Sequence, residues 1–145
     1  MSNINESLRD WINYNVQIGD PLEGVDVITM GEIVDREPPF ITIYETAADL
    51  YEQDAVTLSG VTNFELTVEL HPVPASADAD GTATEIEQGQ RTRLYDILGN
   101  RDAIDYMNGK EDWQVFDIRT GSPLTSAEDG RRVSRSTLMI VASVL

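Results

Sequence analysis

"NFELTVEL" (residues 63–70) is the stretch on which the fold turns. Phe64, Leu66, Val68 and Leu70 alternate with Glu65, Thr67 and Glu69. Successive side chains of a strand point to opposite faces, so a period of two puts the apolar set on one side and the polar set on the other. A helix would scatter both sets around its circumference. One face should therefore pack on a core and the other should meet water, as in an antiparallel sheet that is open on one side. His71-Pro72 closes the run, because proline cannot donate to a ladder.

Working towards the N-terminus, "FITIYE" (40–45) is β-rich and reads as a second strand, while "TAADLYEQDA" (46–55) reads as a polar excursion. The paired prolines of "DREPPF" exclude helix and central strand just before it. "VDVITM" (25–30) is a short strand at most. Residues 3–16 read as a helix: Ile4, Leu8, Trp11, Ile12 and Val16 form one apolar stripe, and Asn3 with Glu6 makes a capping box. "IGDPLEG" then ends it.

Towards the C-terminus, an acidic loop over about 71–83 precedes a helix that starts near Thr84, with Glu87 as capping-box partner, and runs to Leu98. "GN" at 99–100 breaks it, and "RDAIDYMNG" (101–109) adds a short helix. "WQVFDIRT" (113–120) is a strand, "GSPLTSAEDG" a long hairpin connection, and "RRVSRSTLMIVASVL" (131–145) a last strand whose doubly apolar end marks it as interior to the sheet. The expected fold is α+β: an antiparallel or mixed sheet of about four to five strands with two main helices packed on one face. Residues 1–145 form a single domain, large enough for one core, with no internal sequence repeat.

Composition narrows the chemistry. There is no cysteine, which removes disulfides and thiolate metal sites and suits a reducing compartment. The opening "MSNINESLRDWINYN" lacks the pattern of a signal peptide, and no apolar run is long enough to span a bilayer, so no membrane role is expected. The net charge is −16, and residues 1–90 carry all of it, with 18 acids against two bases. Residues 91–145 balance eight acids with eight bases. Such a field repels phosphates, so ordinary nucleic-acid binding is not expected.

Each candidate constellation has an ordinary counterpart. Ser76, Asp78, Asp80, Gly81, Thr82, Thr84 and Glu87 follow the ligand spacing of a calcium loop, but Ser stands at the first position and "HPVPA" cannot be an entering helix. A flexible acidic loop is the expectation, with no metal and no cofactor. His71, the only histidine, would need to converge with a carboxylate such as Glu69 to act as a base or ligand, and a strand-end His before Pro is usually turn chemistry. Asp96, Asp102 and Asp105 suit a solvated helix edge. No nucleophile elbow or phosphate-cradling loop is present, so no catalytic residues are assigned and no enzyme is expected. Trp11, Phe40, Phe64, Trp113 and Phe116 read as core. Arg91, Arg93, Arg131, Arg132 and Arg135 either pair locally with Glu128, Asp129 and Asp96 or form a subunit interface, since an acidic part and an arginine-bearing part can pack head to tail and close a ring.

The C-terminal stretch from "RLYDILGNRDAIDYMNG" to the end, with "WQVFDIRT", a charged Gly-containing hairpin and a terminal apolar strand, resembles the tail-terminator (tail-completion) proteins of long-tailed bacteriophages. "INESLRDWINYNV" resembles their first helix. The likeness covers most of the chain as pattern rather than signature, and the acidic loop departs from it. It implies a structural virion protein, made in the host bacterial cytoplasm, that forms a hexameric ring on the head-proximal end of the tail tube. Such a ring ends tube polymerisation and joins the neck, and its partners are the tail tube protein and a neck or stopper protein. DNA passes through without being bound specifically. The uncompensated acids would then line a lumen or docking rim, with Glu65, Glu69, Asp78, Asp80, Glu85 and Glu87 as candidates. A head–tail stopper or adaptor, or an acidic DNA-mimic module, are the alternatives.

Overall fold

A computed structural model of the chain describes residues 4–29, 39–50, 61–71, 82–110, 113–121, 123–128 and 131–144. The fold is mixed α+β, with three helices and a curled sheet. In chain order the elements are α1 (Ile4–Asn15), β1 (Asp26–Ile28), β2 (Phe40–Leu50), β3 (Val61–His71), α2 (Thr82–Leu98), α3 (Asp102–Asn108), β4 (Trp113–Thr120), β5 (Leu124–Glu128) and β6 (Arg131–Val144).

The sheet runs β1-β2-β3-β6-β4, and β5 also pairs with β6, a mixed sheet of five to six strands among the described residues. β1 is parallel to β2 and every other pairing is antiparallel. The long β6 is the organising strand. β3 covers one side of it from Ser134 to Ser143. On the other side β4 pairs with its C-terminal part and β5 with its N-terminal part.

The alternation in β3 sorts the core as expected. Leu66, Val68 and Leu70 are fully buried, and Phe64 packs against them and meets the Trp113 ring edge-on at 5.4 Å. Their ladder neighbours Ile41 and Ile43 of β2 and Leu138 and Ile140 of β6 lie on the same inner face. Against that face pack Ile4, Leu8, Trp11 and Ile12 of α1, Leu94, Ile97 and Leu98 of α2, and Ala103 and Met107 of α3. The Trp11 indole N–H donates to the Ile97 carbonyl at 3.1 Å, a second donor to a carbonyl that also accepts the Asn100 N–H at 3.3 Å at the end of α2.

Several sequence expectations need correction. β2 does not stop at Glu45; a bulge between Glu45 and Ala47 absorbs the irregularity and the strand pairs with β3 as far as Leu50. Residues 51–55 lie outside the described residues. The connection after β4 contains β5, a five-residue edge strand that the weakly apolar "LTSAE" does not announce and that backbone pairing to β6 holds in place. α2 begins at Thr82, so Thr84 sits inside the helix and cannot cap it; Glu87 is buried and accepts instead from Arg91 at 3.3 Å. Asn3 of the first capping box lies outside the described residues.

Candidate docking face on the outer side of the sheet

The polar side chains of "NFELTVEL" face away from the helices, but they do not simply meet water. Thr42, Thr67 and Val133 on this outer face are buried. The long curled strands bring neighbouring side chains over one another, and two distinct features result.

At one end, three strands converge on Glu69. Its register partners are Thr42 in β2 and Arg135 in β6. The Arg135 guanidinium donates to Oε2 at 3.0 Å, the Tyr44 hydroxyl donates to the same oxygen, and the His71 ring meets Oε1 at 3.2 Å. His71 also stacks on Phe40, with ring centroids 4.4 Å apart. The hydrogen bond with His71 lowers the Glu69 pKa most; burial opposes it, and Tyr44 and Arg135 lower it further, to about 2. Burial and the adjacent carboxylate hold the Tyr44 hydroxyl above its ordinary value. His71 and Glu69 do converge, but the carboxylate is ionised and already held by three groups. This is a charge-compensated clasp across three strands.

At the other end lies an open groove of about 490 Å³ lined by Val61, Asn63, Phe116, Asp117, Arg119, Met139 and Val141. Phe116, expected in the core, is half exposed because the β4 bulge between Val115 and Asp117 turns it outward. Asp117 accepts from Arg101 and Arg119, both at 3.0 Å. The Arg119 bond lowers its pKa most, burial opposes, and Arg101 and the Ile118 N–H add to the lowering. Arg101 and Arg119 thus share one carboxylate, and Glu65, beside Met139 in the ladder, adds a second acid to the same face.

The other expected site residues are scattered. Glu65 shares the outer face with Glu69 and accepts from the Thr46 hydroxyl at 3.1 Å. Glu85 is exposed on α2, which packs on the opposite side of the sheet, and Glu87 is buried there beside Arg91. Asp78 and Asp80 lie outside the described residues, as do Ser76 and Gly81 of the calcium pattern. The part of that pattern that is described, from Thr82 to Glu87, is helical, so it is not the loop such a site requires. Among the described residues no group of three acidic or histidine side chains is placed to hold a metal.

Arg91, Arg93 and Arg135 find local partners other than those expected from sequence. Arg91 meets Glu87, and Arg93 clamps Asp20 at 2.7 Å and the Asn15 carbonyl at 2.8 Å, tying α2 to the end of α1. Burial pushes the Asp20 carboxyl up, but the Leu22 N–H and Arg93 outweigh it and the net shift is down. Arg131 and Arg132 open β6 opposite Glu128 and Ala127, and their side chains lie outside what is described. Asp96, Asp102 and Asp105 are exposed along the helical edge.

Fold and face together define a small α+β protein whose helices cover one side of the sheet, while the other presents a grooved surface with a rigid polar end. The sequence matches no protein-family model and no curated protein.

Proposed function

We propose that this chain is a ring-forming structural protein of a long-tailed bacteriophage, acting as the tail terminator at the head-proximal end of the tail tube. The observation that carries the reading is the division of charge over the fold. Net charge is −16, yet the outer sheet face bears a partly apolar groove whose charged lining residues, Arg119 and Asp117, compensate each other. A strongly acidic chain that keeps one charge-balanced, partly apolar surface can seat an identical copy there without setting like charges against one another. The resemblance of the helix–strand order to tail terminators supports the same conclusion.

In this reading the acidic excess faces the bore or the docking rim and keeps the passing duplex from adhering. Glu65 and Glu85 suit that role better than Glu69, which is compensated, and Glu87, which is buried. The same compensation disfavours a DNA mimic, which needs carboxylates open to a basic partner. The chain acts by assembly, joining tube to neck.

Native mass spectrometry and negative-stain imaging of the purified chain over a concentration series test this. Sixfold annuli are expected. A chain that remains monomeric at its highest soluble concentration overturns the proposal.

A further inference from the structure

We infer that Asn108 is a deamidation site gated by the fold. It is closed while α3 is fastened to β4, opens when the last turn of α3 lifts away, and on conversion unties the two elements irreversibly.

Asparagine is a thermolabile residue, most of all where the next residue has no side chain to shield its backbone nitrogen. That nitrogen attacks the side-chain Cγ, a C–N bond forms, and the amide nitrogen leaves as ammonia. Water then opens the cyclic imide at either carbonyl, giving aspartate or isoaspartate. The sum is amide plus water to carboxylic acid plus ammonia, so no other reactant is needed. The chain has seven asparagines, and only Asn108 precedes a glycine; the others precede Ile, Glu, Tyr, Val, Phe or Arg. Asn108 is exposed, so water reaches it.

In the fold both reacting groups are held. Asn108 ends α3, where its Nδ2 donates to the Val115 carbonyl at 2.9 Å and its Oδ1 accepts the Val115 N–H. These two bonds turn Cγ towards β4. The Gly109 N–H donates to the Asp105 carbonyl at 3.0 Å and to the Tyr106 carbonyl at 3.2 Å, which keeps the nitrogen protonated and unreactive. Cyclisation therefore requires all four bonds to break together, and that event is the release of the last helical turn from β4. Met107, buried in the core, makes the release rare, but it is local and costs less than global unfolding. At the other end of α3, Arg101 holds the Ile118 carbonyl at 2.7 Å and Asp117 at 3.0 Å, and it restrains the same motion.

The product does not reclose as the parent does. A carboxylate at this position cannot donate to the Val115 carbonyl, and it sets a like charge one turn from Asp105 in a chain already at −16. Isoaspartate also lengthens the backbone between α3 and β4 by one carbon. Val115 borders the bulge that turns Phe116 outward, so one slow covalent event loosens the outer sheet face there.

The full-length protein is held in mildly alkaline buffer, native and in guanidinium chloride, and conversion at Asn108 is followed by peptide mass mapping. Isomerisation at Asp80 or Asp129, which also precede glycine, leaves the mass unchanged and does not interfere. Conversion should be about tenfold or more slower in the native chain, because the rate tracks the open fraction, yet faster than at the other asparagines. Arg101→Ala leaves Asn108 and Gly109 intact and should raise the native rate severalfold with no change in denaturant. Asn108→Asp supplies the product directly, and its β4 amides should exchange faster than the parent's. Equal rates in native and unfolded chains, or an Arg101→Ala rate like the parent's, overturn the gate. Native conversion at Asn108 no faster than at the other asparagines overturns the site, and parent-like exchange in Asn108→Asp overturns the untying.

Discussion

Glu69 shows how a residue's surroundings decide its role. Read in sequence, it is one of many unpaired acids. In the fold it holds Tyr44, His71 and Arg135 together. Its folded pKa, about 2, lies below the ordinary 4.5, so the clasp stabilises the protein above pH 4.5 and that contribution fades as pH falls towards 2. Glu69→Gln should lower stability at neutral pH by about 2 kcal/mol, an amount typical of removing a charged partner from a half-buried pair. Denaturant titrations of both proteins across this range should show the difference shrinking on the acid side. A difference independent of pH would show that the carboxylate is not titrating in this window. The contact between His71 and Glu69 was legible from their i, i+2 spacing in a strand, but Tyr44 and Arg135 were not, since they lie 25 and 66 residues from Glu69 in the chain.

Among the elements, α3 is tied to β4 at its start by Arg101, which donates to the Ile118 carbonyl at 2.7 Å, and at its end by Asn108. Asn108 donates from Nδ2 to the Val115 carbonyl at 2.9 Å and accepts the Val115 N–H through Oδ1. Val115 is where the β4 ladder is interrupted, so Asn108 supplies bonds beside the bulge. Asn108→Ala should cost about 1–3 kcal/mol and leave the groove end of β4 less protected. Amide exchange at Val115 and its β4 neighbours should accelerate more than exchange in β3. Uniform acceleration would point to global destabilisation instead. α1, β3 and the interior end of β6 were legible because their apolar periods are clean. The second half of β2 and all of β5 were not, because their sequences are polar and pairing with a long neighbour holds them in the sheet.

Over the whole molecule, the surplus of carboxylates works against the compact state. The net charge of −16 is confined to a chain of 145 residues, and self-repulsion on that scale is screened as the Debye length falls from about 30 Å at 0.01 M to about 3 Å at 1 M salt. The melting temperature should therefore rise with sodium chloride over this range, by about 3 °C for a gain of roughly 1 kcal/mol. A flat or falling profile would show that the excess charges are too widely spread to oppose folding. The same screening should help acidic copies approach one another.

By itself, the sequence determined the α+β class, the inner face of β3, the stripe of α1 and the size and asymmetry of the charge, because each is written in local period or composition. Only the tertiary structure decided which acids are compensated, where Phe116 points, and that a partly apolar groove opens on the face expected to be merely wet. The physical reason is that partners in a sheet are chosen across the chain: register and bulges in β2, β4 and β6 set which side chains meet, and no local pattern encodes that choice.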